Sequence, residues 1–244
     1  MEPAGLTRDA PGVSPRGQAI GEDSEQLTGF ALPPLIATGL YYSLPSSLQS
    51  ILAVQFLPQM LAYLGLAGWA VRNGELPRRL GLKVHQLRQG LRWGAVTGLI
   101  LGGVNVSVIL WLVPLLGGDI SFLRETPHAR VPATIMIPWS ILLIAVAVEL
   151  NFRGFLLGRL WALSVRIGAG PVLAPTVAIT GAALAFAFDP FMVATFKHLH
   201  WIAVWDGLVW GTLWLRLRNL YAPITAHAVE VMILYSTLKV VLGN

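Results

Sequence analysis

The sequence predicts an all-α fold, a polytopic membrane helix bundle of about six to seven transmembrane helices. Three observations carry this expectation. Of the 244 residues, 55% are hydrophobic and only 12% are charged, about half the charged share of a soluble domain. Mean hydropathy is +0.66. The apolar residues gather into runs of about twenty, the length that crosses roughly 30 Å of hydrocarbon as a helix. Nine Trp and five Tyr suit aromatic belts at the two membrane surfaces. Most Lys and Arg lie in short connections between the runs, so the net charge of +5 reads as an orientation signal and not as a nucleic-acid footprint. The chain contains no Cys, so it offers no disulfide and no thiolate ligand. Neither a metal nor a cofactor is expected, and the expected partner is the lipid bilayer.

Taken in order, residues 1–28 carry three Pro, several Gly and five carboxylates against two Arg. They lack a basic segment followed by an apolar one, so they read as a disordered tail and not as a signal peptide. Residues 29–244 form a single transmembrane domain. Its first piece, 30–47, is broken by Pro33, Pro34 and Pro45 and reads as a span or a re-entrant segment. Residues 50–71 supply about twenty apolar residues, enough for a span. The most basic stretch follows, from Arg72 to Arg92, with Leu80, Leu82, Val84, Leu87 and Leu91 interleaved as in an interfacial amphipathic helix.

Further spans are expected over 94–116, whose Gly and small residues permit close packing, and over 133–152, continuing as helix to Arg166. Three more follow over 172–188, 201–215 and 220–241. The connection 117–131 has no basic bias. The basic clusters 72–92, 153–166 and 216–218 then fall on one side, which by the positive-inside bias is cytoplasmic. The chain is expected to be an integral protein of a bacterial-type cytoplasmic membrane, with its N-terminus inside.

Ionisable residues inside these runs are the functional suspects, because each costs at least roughly 2.5–3.5 kcal/mol in hydrocarbon. Glu149 and Arg153 are four residues apart and share a helix face, as a functional pair or as a self-neutralising clamp. Ten residues before Arg159, Glu149 lies about 15 Å deep at helical rise, near the bilayer midplane. His227 and Glu230 share a face of the last span. Asp206 lies inside its own span, as an active group or as a hydrogen-bonded packing residue. His198 and His200 are expected beside Trp201 at the far interface.

The stretch Val148-Glu149-Leu-Asn-Phe-Arg153-Gly154 resembles the first motif of the CAAX-protease and bacteriocin-processing (CPBP) family of intramembrane proteases. That motif has two adjacent Glu, three residues, then Arg and usually Gly. The stretch from Asp206 through Pro223-Ile-Thr-Ala-His227-Ala is similar to the family's closing helices, and Leu80-Gly81-Leu82 to its amino-terminal half. The resemblance covers about 75–240. It implies an intramembrane endopeptidase acting on membrane-associated or lipidated proteins or peptides, in which a Glu and a middle-motif His activate water. A last His, with an Asn or Asp four residues on, stabilises the oxyanion. Carried over residue by residue, the catalytic candidates are Glu149, His227 and His198. Three positions depart from the pattern: Val148 stands at the first Glu, Pro190 at the middle His and Val231 at the Asn. Two other readings stay open. One is a non-catalytic scaffold or chaperone related to the family. The other is a small proton-coupled transporter using Glu149, Asp206, His227 and Glu230.

Overall fold

The computed structural model describes residues 25–243, and every regular element among them is helical. The expected tail falls for the most part on residues 1–24, outside the described residues. Residues 25–28, grouped with that tail above, are instead packed. Glu25 is buried, forms an ion pair with Arg159 and accepts a hydrogen bond from Trp69 Nε1 at 2.9 Å. The physical reason lies in Arg159, which is 0% exposed. A guanidinium removed from water needs a counter-charge, and Glu25 brings it. Arg159 also stacks on the Trp69 ring, 4.0 Å from its centroid.

The main helices are α1 (Leu32–Tyr41), α2 (Leu57–Arg72), α3 (Leu87–Ser107), α4 (Ala133–Arg166), α5 (Leu173–Ala187), α6 (Pro190–Phe196), α7 (Ile202–Leu217) and α8 (Tyr221–Val241). A π-helical turn, Val108–Leu112, carries α3 on to Leu115. Among the described residues, three helices are long and apolar enough to cross a membrane: Leu76–Leu115, Ala133–Arg166 and Tyr221–Val241. The pair formed by α5 and the segment Pro190–Leu199, bent by 51°, makes a fourth if it counts as one span. At 16 residues, α2 and α7 reach about 24 Å, short of the roughly 30 Å of hydrocarbon. The 30–47 segment forms only the ten-residue α1, too short to span alone. The expected span at 50–71 is interrupted before Leu57, where Pro58 opens α2. Large apolar side chains such as Leu64, Trp139 and Leu143 are more than 60% exposed, as a lipid-facing surface requires.

Two packing arrangements position the interior. Along α3, Gly90, Gly94, Gly98 and Gly102 recur every fourth residue and therefore form one stripe. A Cβ at Gly98 would lie 2.8 Å from Val229 Cβ, and one at Gly102 would lie 2.8 Å from Ile233. The missing side chains let α8 rest directly on α3, by the small-residue packing of membrane helices. Asn105 is the next residue on this face.

The second arrangement is α4 itself. Its outer part faces lipid, whereas residues 151–160 are all buried, surrounded by α2, α5 and α7. The segment Leu150–Leu157 is π-helical. It turns less per residue than an α-helix and commonly marks a functional position. Leu80-Gly81-Leu82 fastens the turn between α7 and α8. Leu220 N–H donates to Gly81 O at 2.8 Å, and Trp214 Nε1 donates to Leu80 O at 3.2 Å. Gly81 has φ +79° and Arg218 O would lie 2.8 Å from any Cβ there, so glycine is required twice over.

Candidate active site

Glu149 lies midway along the 34 residues of α4 and is 0% exposed. Its Oε1 accepts from Arg153 Nη1 at 3.1 Å and meets His227 Nδ1 at 2.9 Å. The first contact follows from the four-residue spacing within one helix. The second joins α4 to α8 across 78 positions of sequence, where the Gly stripe of α3 holds α8 in place. Aromatic walls surround the pair. The Arg153 guanidinium lies 4.8 Å from the Phe186 centroid and 4.9 Å from that of Trp210. Trp210 also stacks on His227, with centroids 4.6 Å apart and planes 17° from parallel. The imidazole is thus fixed in plane by stacking and in rotation by the carboxylate. Its Nδ1 is the bonded nitrogen, which leaves Nε2 without a protein partner among the described residues.

His227 lines a cavity of about 460 Å³ bounded mainly by apolar residues of α3, α4, α7 and α8. Glu149 and Arg153 stand behind this wall. Asp206, Glu230 and Asn105 line the cavity too. Asn105 Nδ2 donates to both Asp206 oxygens at 3.1 Å and to Glu230 Oε1 at 2.7 Å, while its Oδ1 accepts from Trp205 Nε1 at 2.9 Å. Asp189 also lines the cavity. It is occupied as the cap of α6, accepting from Phe191 N, Met192 N and Gln59 Nε2. At the outer end, His128 reaches the cavity wall. Burial holds its imidazole below the usual histidine value, so it is neutral at pH 7.

Of the three catalytic candidates, the structure brings Glu149 and His227 together and leaves His198 apart. His198 is exposed, packs edge-on against Phe122 and does not line the cavity. The cause is local. After α6 the backbone turns at Lys197, a non-glycine residue at φ +49°, and carries His198 away from the α4–α8 contact. Pro190 is buried at the start of α6 and does not line the cavity either. The other two departures do face it. Val148 and Val231 both line the wall, so these two positions face the cavity but carry isopropyl groups.

Asn105 is the residue that sequence reasoning missed. A lone amide continuing a four-residue Gly stripe inside an apolar span is the signal that points to it, since intramembrane polar groups rarely go without a partner.

A family model described as Rce1-like, type II CAAX prenyl endopeptidase, matches residues 130–233. The match bears out the family resemblance read from the motifs, and it contains Glu149, Arg153, Asp206, His227 and Glu230. No curated protein and no solved structure matches the chain.

Proposed function

We propose, from the CAAX-endopeptidase family domain carried by residues 130–233, that this chain is an intramembrane endopeptidase cutting membrane-associated or lipidated proteins or peptides. The observation that carries the proposal is the Glu149–His227 contact behind a cavity in the membrane interior. Glu149 holds His227 in the tautomer with its proton on Nδ1, which makes Nε2 the basic nitrogen available to the cavity. A water beside it would lose a proton to Nε2 as its oxygen attacks a peptide carbonyl, and the imidazolium formed is stabilised by the Glu149 carboxylate. Arg153 holds the same Glu149 oxygen through its own hydrogen bond and so helps to align it. The exclusion of water strengthens both interactions.

Glu149 acts here through His227, and this is how a site without the first motif Glu can keep its base. The apolar cavity walls suit an acyl or isoprenoid group or an apolar peptide segment. The basic clusters, taken as cytoplasmic, put the N-terminus inside a bacterial-type membrane. In proteoliposomes bearing a quenched-fluorescent lipidated peptide, Glu149→Ala and His227→Ala should each lower turnover at least 10²-fold, the usual contribution of a positioned base. Unchanged cleavage in both variants removes the pair from the mechanism.

Val148 and Val231 favour a second reading, that of a non-catalytic relative that binds membrane peptides in the same cavity. It predicts peptide binding with no turnover in wild type or in any of these variants.

A further inference from the structure

Three carboxyl groups are buried around the inner end of the cavity, and among the described residues one guanidinium lies with them. Arg153 Nη1 and His227 Nδ1 both bond Glu149 Oε1, while Arg153 Nε and Nη2 make no hydrogen bond among the described residues. Among the described residues, Asp206 on α7 and Glu230 on α8, each 4% exposed, form no ion pair. Both accept from one neutral group, the Asn105 amide, whose orientation Trp205 fixes through its Oδ1. Their surroundings are Asn105 from α3, Glu149 and Arg153 from α4, Trp205 and Trp210 from α7, and His227 from α8. A single amide cannot offset two bare negative charges in a low-dielectric interior, and carboxyls crowded in this way keep a proton between them.

Glu230 Oε2 and Trp210 Nε1, buried polar atoms of residues that line the same cavity, have no hydrogen-bond partner among the described residues. Buried polar atoms are nearly always satisfied, so this pair of positions points to a ligand group able to pair with an O–H and an N–H. A peptide carbonyl is such a group.

We propose that Asp206 and Glu230 share one proton and act as the acid of the cavity toward the carbonyl oxygen of the bond being cut. The assignment rests on the endopeptidase reading above. In the forward step, water gives one proton to His227 Nε2 while its oxygen bonds to the carbonyl carbon. The carbonyl π electrons move to oxygen, which takes the proton from the Asp206–Glu230 pair. On collapse, the hydroxyl returns that proton to the pair and the C=O re-forms. The C–N bond breaks, with nitrogen keeping the electron pair and taking the proton from His227. The products are one carboxylic acid and one amine, and both proton carriers regain their starting state. In this arrangement the pair supplies the oxyanion stabilisation that Val231 cannot.

The test uses the full chain in proteoliposomes at pH 7, with infrared spectra and peptide turnover measured on the same preparation. Wild type should show a protonated-carboxyl C=O stretch that shifts in D2O and with ¹³C-carboxyl labelling of Asp and Glu. Glu230→Gln and Asp206→Asn should each abolish that band and lower kcat at least 10²-fold with little change in KM. If neither variant folds, the labelled wild type alone decides whether the proton is present. Absence of the band, or its persistence in both variants, overturns the proposal. Wild-type cleavage with full kcat in Glu230→Gln overturns the acid role while the endopeptidase reading stands. The band without any wild-type cleavage upholds the shared proton, and it overturns both the acid role and the endopeptidase reading.

Discussion

One oxygen of Glu149 serves two partners, and this arrangement explains why neither the carboxylate nor Arg153 can be removed alone. Replacing Arg153 with Met leaves a buried carboxylate whose remaining contact is His227. Breaking a buried ion pair in this way costs about 3–5 kcal/mol, and the residual imidazole contact puts the expected loss near the lower figure. Denaturation of Arg153→Met in detergent should show it, and Glu149→Gln with Arg153→Met should recover most of the loss because no unpaired charge remains. Recovery would also separate the clamp role of the pair from its role in orienting His227. At this scale much of the site was legible in the sequence. Glu149 and Arg153 stand out because two charges at helical spacing interrupt an apolar run. His227 stands out through its motif. The pairing of Asp206 with Glu230 was not legible, because it depends on how α7 and α8 are rotated about their axes. Asn105 carries no charge, and in a Gly-rich run it reads only as packing.

Among the elements, the α3–α8 contact sets the geometry of the site, since α8 carries His227 and Glu230 while α3 carries Asn105. Gly98→Leu would drive a branched side chain into Val229 and the backbone of Ala226. Overpacking of this kind costs about 1–3 kcal/mol. It would also move Asn105 away from Glu230, so turnover should fall with stability. Gly103, one residue past the stripe, has nothing within 4 Å of an added Cβ. Gly103→Ala should therefore be neutral, or stabilising by up to about 1 kcal/mol from helix propensity. Thermal unfolding of the two variants checks both outcomes. The Gly and small residues of 94–116 marked a closely packed helix in advance, but not the face or the partner it packs against. The π-helical turn after Glu149 was not visible, because residues 151–157 are all buried and so show no periodicity to read. Pro33 and Pro34 lie in the first turn of the short α1 and already marked 30–47 as a broken segment, whereas the break before α2 at Pro58 interrupts a run that composition alone reads as a continuous span.

For the whole molecule, basic residues cluster at the end of the bundle where Glu25 meets Arg159, and the connection 117–131 lies at the other end. With no Cys in the chain, single-cysteine labelling reads orientation without background. Arg88→Cys and Glu125→Cys both fall on exposed positions. In sealed right-side-out vesicles a membrane-impermeant maleimide should label Glu125→Cys and spare Arg88→Cys until the membrane is opened, as the positive-inside bias requires. The reverse pattern would invert the topology. Composition alone made the membrane setting and the helical class legible, since few charges and long apolar runs leave no other fold available in lipid. It could not reveal that residues 25–28 close the basic end, because the burial of Arg159 is a consequence of tertiary packing.

The central claim is that Glu149 and His227 act as one unit, and a double-mutant cycle on turnover tests it most directly. Wild type, Glu149→Gln, His227→Ala and the double variant are reconstituted in proteoliposomes and compared for kcat on one lipidated peptide. Residues that act through each other are strongly non-additive. The double variant should therefore lose no more activity than His227→Ala alone, and Glu149→Gln should lower kcat with little effect on KM. Losses that multiply in the double variant, or a wild type that turns over no faster than His227→Ala, would contradict it.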